Sequence, residues 1–283
     1  MIYTTLISAA DVKNFQGELR VFDCSADLSQ AHAGREQFET QHIAGAGFAD
    51  INTDLSSHDP AVAVNSGRHP LPSREHFAAW LGRMGVSNHT QVVVYDRQGM
   101  NFCGRLWWML KWCGHDAVAV LDGGLQAWVA IGAEVASGSP GNTHASEFAL
   151  RLSLVTLLHT ADVFAALGKP SQTILDARAP ARFRGETEPF DPVAGHIPGA
   201  FNRPFTSNLG PDGLMKPAAQ LRAEFDTLLA GHTPASVVHQ CGSGISAIPN
   251  LLAMQVAGLG STALFAGSWS EWCNTPGLPC AKA

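Results

Sequence analysis

Val237-Val238-His239-Gln240-Cys241-Gly242-Ser243-Gly244-Ile245-Ser246-Ala247 reads as a buried strand ending in a cysteine, a short glycine-rich turn, and a helix beginning near Ile245. That order puts a thiol at the C-terminal end of a strand, facing the first turn of the next helix. Unpaired N–H groups and the positive end of the helix dipole favour an anion there. A thiolate is such an anion, and it is the reactive form of cysteine. The glycines let the turn bend so that several amides converge on one atom. A cysteine taken alone is most often a small buried hydrophobe. Glycines on both sides of Ser243, directly after the cysteine, favour a nucleophile instead. Cys241 is therefore the candidate catalytic residue, and Gly242, Gly244, Ile245 and Ser246 are the candidate lining of the turn that meets substrate.

Outward from this stretch, the chain repeats itself. Leu19-Arg20-Val21-Phe22-Asp23-Cys24-Ser25 resembles Thr173-Ile174-Leu175-Asp176-Ala177-Arg178, and His42-Ile43-Ala44-Gly45-Ala46 resembles His196-Ile197-Pro198-Gly199-Ala200. Gln91-Val92-Val93-Val94-Tyr95-Asp96 resembles Ser236-Val237-Val238-His239-Gln240-Cys241. Leu121-Asp122-Gly123-Gly124-Leu125-Gln126-Ala127-Trp128 resembles Phe265-Ala266-Gly267-Ser268-Trp269-Ser270-Glu271-Trp272. The matches keep one order, so the chain holds two copies of one domain. Each copy alternates short apolar strands, such as residues 92–95 and 117–121, with helical stretches, such as residues 105–112 and 248–256. That alternation predicts an α/β fold of two tandem domains, each a mainly parallel sheet flanked by helices on both faces. The tryptophans at 107, 108 and 112 stand at helical spacing and are expected in the core. Turn formers between residues 136 and 144 set the expected division: 1–136, a linker 137–152, and 153–283. Residues 52–72 form a long insertion in the first copy, expected to be a loop.

Bulk properties bound the function. The 283-residue chain is 46% hydrophobic and 15% charged, which fits a well-buried globular protein. A net charge of −6 argues against general binding to nucleic acid or anionic membranes. The six cysteines form no C-x-x-C pair and no zinc-finger spacing with histidine. A reducing, cytoplasmic setting fits such usage, and the start shows no secretory signal.

The tandem copies, the His196-Ile197-Pro198-Gly199-Ala200 segment and the Cys241 loop resemble the two-domain rhodanese-type sulfurtransferases. The resemblance spans nearly the whole chain. It implies an N-terminal domain without a catalytic cysteine, and Asp96 stands where the second copy has Cys241. It implies a C-terminal domain whose cysteine carries a persulfide, a small-molecule sulfur donor, a thiol or cyanide acceptor, and no metal or organic cofactor. The Cys241-Gly242-Ser243-Gly244 run is similar to that of 3-mercaptopyruvate sulfurtransferases, whereas thiosulfate-preferring members of mammalian type carry basic residues there. By the same resemblance, Ser243 and His69 match a Ser/His/Asp relay. The acid position falls at Asn52, so Asp50 or Asp54 would have to substitute. Arg182 matches the arginine that binds the donor's anion, where a guanidinium offers fixed paired N–H donors. The second arginine of animal-type mercaptopyruvate enzymes is replaced by Phe190, with Arg178 and Arg184 as candidates to compensate.

Two other classes differ from this chain at the loop. A cysteine phosphatase ends its loop in an arginine that holds phosphoryl oxygens, and the position here is Ala247. A non-catalytic carrier or interaction module of the same fold needs neither the cysteine nor the glycines.

Overall fold

The computed structural model describes residues 2–141 and 143–282; Met1, Asn142 of the expected linker and Ala283 lie outside them. The chain forms two compact units: unit 1 comprises Met1–Val62, Pro72–Leu154 and Pro211–Met215, and unit 2 comprises Ala63–Leu71, Val155–Gly210 and Lys216–Ala283. The long insertion of the first copy is therefore divided, and its Ala63–Leu71 stretch belongs to the unit that holds Cys241.

Unit 1 runs β1 (Leu6–Ile7), α1 (Ala9–Lys13), β2 (Leu19–Asp23), α2 (Ala33–Thr40), β3 (His42–Ile43), β4 (Gly47–Phe48), α3 (Arg74–Arg83), β5 (Gln91–Tyr95), α4 (Cys103–Trp112), β6 (Val118–Leu121), α5 (Gly124–Ala130) and β7 (Val135–Ala136). Its main sheet is parallel in the order β1-β6-β5-β2-β4, with β3 and β7 paired antiparallel beside it. Unit 2 runs β8 (Thr156–Leu158), α6 (Thr160–Ala165), β9 (Thr173–Asp176), α7 (Pro180–Arg184), β10 (Phe201–Asn202), α8 (Ala218–Leu229), β11 (Val237–Gln240), α9 (Ile248–Val256), β12 (Ala263–Phe265) and α10 (Ser268–Trp272). Its sheet is also parallel, in the order β8-β12-β11-β9-β10. Strand for strand this is the order of unit 1, so the sequence repeat is a repeat of topology.

The central strands β5 and β11 are buried along their whole length, as expected of strands covered on both faces. The helix that follows each is also buried: every residue of α4, Arg105 and Lys111 included, and Ile248 to Met254 of α9. Trp107 and Trp108 lie fully inside, and Trp107 Nε1 donates to the Thr4 carbonyl at 3.0 Å, so the cluster is core. Around β11, Val238, Ile174, Phe265, Trp269 and Trp272 form one apolar cluster. Among the described residues no helix is long and apolar enough to cross a membrane.

One boundary departs from expectation. The helix after the cysteine starts at Ile248, three residues beyond Ile245. Gly244 takes a left-handed φ of +74°, and the chain needs a further turn, closed by Ile248 N–H to the Ile245 carbonyl at 3.1 Å, before the helical ladder begins. Pro249 then sits in the first turn, where its missing N–H has no helical partner to lose.

Candidate active site

Cys241 is the residue directly after β11, between β9 and β12. Its loop is fastened from α10. Cys241 N–H donates to Ser268 Oγ at 3.1 Å, Trp269 N–H to the Cys241 carbonyl at 3.0 Å, and Ser270 N–H to the Gly242 carbonyl at 2.9 Å. Ser268 itself is held at a positive φ of 54° and donates to the Phe265 carbonyl at 2.9 Å. The Gly267-Ser268-Trp269-Ser270-Glu271-Trp272 segment is thus the clasp of the cysteine loop. Gly244 has no alternative at its position: its φ is left-handed, and a Cβ would run into the Ala266 carbonyl. Ile245 is buried and Ser246 half-buried in the turn before α9.

Unit 1 shows what this loop geometry does with an anion. Asp96 follows β5 as Cys241 follows β11, and each is 2% exposed. The Asp96 carboxylate accepts N–H groups from Gln98, Met100, Phe102 and Cys103 at 2.9, 2.9, 2.8 and 2.9 Å. Burial pushes this carboxyl up from its ordinary range, while the same four N–H groups act to hold it down. A loop between a central strand and a buried helix therefore gathers amides around the first side chain past the strand. In unit 2 that side chain is a thiol.

Ser243, two residues on, has its Oγ 2.8 Å from His69 Nδ1, and both residues are buried. His69 reaches this point on the Ala63–Leu71 stretch of unit 2. Ser66 N–H donates to Glu271 Oε2 at 3.0 Å, and Arg68 N–H donates to Ser270 Oγ at 3.1 Å, so α10 anchors this stretch as well. Asn52, Asp50 and Asp54 belong to unit 1. There Asp50 Oδ1 accepts the Asn52 N–H and Asp54 Oδ2 accepts the Asp50 N–H, which makes both carboxylates part of their own turn.

The arginines sort by their partners. Arg182, on α7, donates to Glu188 Oε1 at 2.7 Å and keeps its guanidinium end beside Gly242. Arg178 is buried and committed to Asp176 at 2.6 Å, to the Gly195 carbonyl at 2.7 Å and to the face of Trp269. Arg184 pairs with Glu186 on the surface. Neither is the free second guanidinium that the replacement by Phe190 had suggested. Arg68, which no reading of the sequence singled out, comes closest to Gly242 instead: a Cβ there would lie 2.7 Å from its Nη2. Its adjacency to His69 was the one signal available.

The chain is similar to known proteins over most of its length. The chain matches the family described as "Rhodanese-like domain" over residues 8–131 and 160–275. A Pseudomonas aeruginosa protein named "Probable 3-mercaptopyruvate sulfurtransferase" is 43% identical over 265 residues, covering 93% of this chain and 92% of that one. A mouse protein named "Thiosulfate sulfurtransferase" is 33% identical, covering 90% of this chain and 84% of that one. The solved structure of a 3-mercaptopyruvate sulfurtransferase from Leishmania major superposes with a TM-score of 0.82 at 31% identity, covering 95% of this chain and 74% of that one. The chain belongs to the rhodanese-like family, among its two-domain sulfurtransferases.

Proposed function

We propose that this enzyme moves a sulfur atom from 3-mercaptopyruvate to a thiol or cyanide, with Cys241 carrying it as a persulfide. The observation that carries this reading is the Cys241 loop itself. It has a thiol at the strand end, amides in the turn behind it, and a Ser243–His69 hydrogen bond two residues away.

The Cys241 thiolate attacks the donor sulfur, and the carbon–sulfur bond breaks. The electron pair leaves on carbon as the enolate of pyruvate, which takes up the proton the donor thiol gives. Ser243 Oγ and His69 Nδ1 form the proton path beside the nucleophile. Arg182 orients the donor carboxylate. The amides of Gly242 through Ser246 hold the charge on the outer persulfide sulfur, as helix-terminus amides hold other anions. Cyanide or a thiolate then attacks that sulfur, and the Cys241 thiolate leaves, a ping-pong cycle. No step calls for a cofactor.

Thiosulfate is the second reading. Guanidiniums suit a thiosulfonate as well as a carboxylate, and the mouse relative bears that name. Its reaction would release sulfite from the same attack. The 3-mercaptopyruvate reading is favoured by Ser243 and Gly244 after the cysteine, where no basic residue stands. All six cysteines are unpaired, which supports a reducing cytoplasm as the working compartment.

The test is kcat/KM for the two donors with one acceptor, in the wild type and in Cys241→Ser. The expected result is a preference for 3-mercaptopyruvate and no transfer by the variant. A clear thiosulfate preference refutes the donor, and substantial turnover by Cys241→Ser refutes the nucleophile.

A further inference from the structure

Gly242 is wedged between two guanidinium groups. A Cβ placed on it would lie 2.7 Å from Arg68 Nη2 and 3.3 Å from Arg182 Nη1. Both guanidiniums lie over Phe190, at 5.3 and 5.1 Å from its ring centre. Both also face Asp191: Arg68 Nη1 donates to Oδ1, and Arg182 Nη2 stands 3.6 Å from Oδ2. The Arg68 and Arg182 side chains are 25% and 17% exposed, open enough for a solute to reach, whereas Asp191 is 2% exposed. Asp191 Oδ2 accepts no hydrogen bond among the described residues. Burying a carboxylate oxygen without a donor is costly, so its presence beside the two arginines at Gly242 asks for a reason.

Charge supplies one. Arg178 and Arg182 are answered by Asp176 and Glu188. Arg68 and Asp191 add one charge of each sign. The surroundings of the thiol are then neutral, and an incoming donor must displace Asp191 from Arg68 or share it. A monoanion meets two guanidiniums and one carboxylate. A dianion meets the guanidiniums with twice the attraction and the carboxylate with twice the repulsion, so the charge of Asp191 costs a dianion more than it costs a monoanion.

We propose that Arg68 is a second donor-binding guanidinium and that Asp191 offsets its charge, so that the Cys241 site gives dianionic sulfur donors less advantage over monoanionic ones than the two arginines alone would. Phe190 lies against both guanidiniums; Arg182 Nε and Nη2 are taken by Glu188 and Arg68 Nη1 by Asp191, which leaves Arg68 Nη2 and Arg182 Nη1, the atoms nearest Gly242, to meet the ligand. Arg68 touches the donor; Asp191 is a positioning residue that acts through it. The identity of the donors rests on the sulfurtransferase reading, but the charge selection does not.

The experiment is calorimetric titration of the Cys241→Ala protein, which has no nucleophile, with pyruvate as monoanion and thiosulfate as dianion. Adding Asp191→Asn should tighten thiosulfate relative to pyruvate by about tenfold. Adding Arg68→Gln, at a part-exposed side chain, should weaken pyruvate by about tenfold and thiosulfate by more, and Arg68→Lys should recover part of that loss. An unchanged thiosulfate-to-pyruvate ratio in a folded Asp191→Asn protein overturns the proposal. So does parental binding of both anions by Arg68→Gln. These readouts involve no turnover. If the charge effects appear while the wild type transfers no sulfur, the sulfurtransferase reading falls and this one stands.

Discussion

At the scale of single residues, two positions tie the site to its strand. Gly244 combines a left-handed φ of +74° with a Cβ direction blocked by the Ala266 carbonyl. Gly244→Ala should cost about 1–3 kcal/mol and displace the loop, read as a lower urea midpoint together with lost sulfur transfer. His239 lies inside β11, two residues before the nucleophile, with Nε2 2.9 Å from Thr262 Oγ1. Burial pushes its pKa down from 6.5 to about 3. Between these values the unfolded chain holds the proton and the folded chain does not, so stability falls as pH drops through that window. The slope should approach about 1.4 kcal/mol per pH unit. Urea titrations at descending pH check this: His239→Gln should flatten the dependence, and an equally steep loss in the variant would remove His239 as its source.

At the scale of elements, α10 does two jobs. Its first residues hold the cysteine loop, and Ser270 and Glu271 hold the stretch that carries Arg68 and His69. Glu271 also accepts Thr160 Oγ1 at 2.5 Å, which joins α6 to the same anchor. Glu271→Ala should therefore speed hydrogen exchange across residues 63–71 and cut sulfur transfer by about tenfold or more, through misplacement of His69 and Arg68. Exchange in β11 should stay slow; its acceleration would mean that the variant loosens the unit at large. What was legible in the sequence followed from local pattern. The strand before Cys241 and the apolar helix after it announce themselves because the strand and residues Ile248 to Met254 of the helix are buried. The start of α9 did not, because a left-handed glycine and a three-residue turn leave no periodic trace. The place of Arg68 in the site was not legible for a different reason: apart from its adjacency to His69 nothing marked it, and its partner Asp191 is 123 residues away, so only folding brings the two together.

At the scale of the whole molecule, the repeat gives two loops of one design with different contents. The loop of unit 1 is filled by its own Asp96 carboxylate, which takes four N–H donors. Asp96→Ala would leave those amides buried and unpaired, and should destabilise unit 1 by about 3 kcal/mol or more, seen as faster exchange in β5 and α4. The loop of unit 2 presents Cys241. On the proposed reading each chain has one place for a transferred sulfur, although both halves share a strand order, as their matched segments share a sequence order. The most direct measurement is the intact mass of the protein after exposure to 3-mercaptopyruvate without an acceptor. The account predicts a single added sulfur per chain, absent from Cys241→Ser and removed by cyanide. Added sulfur that persists in Cys241→Ser would contradict it.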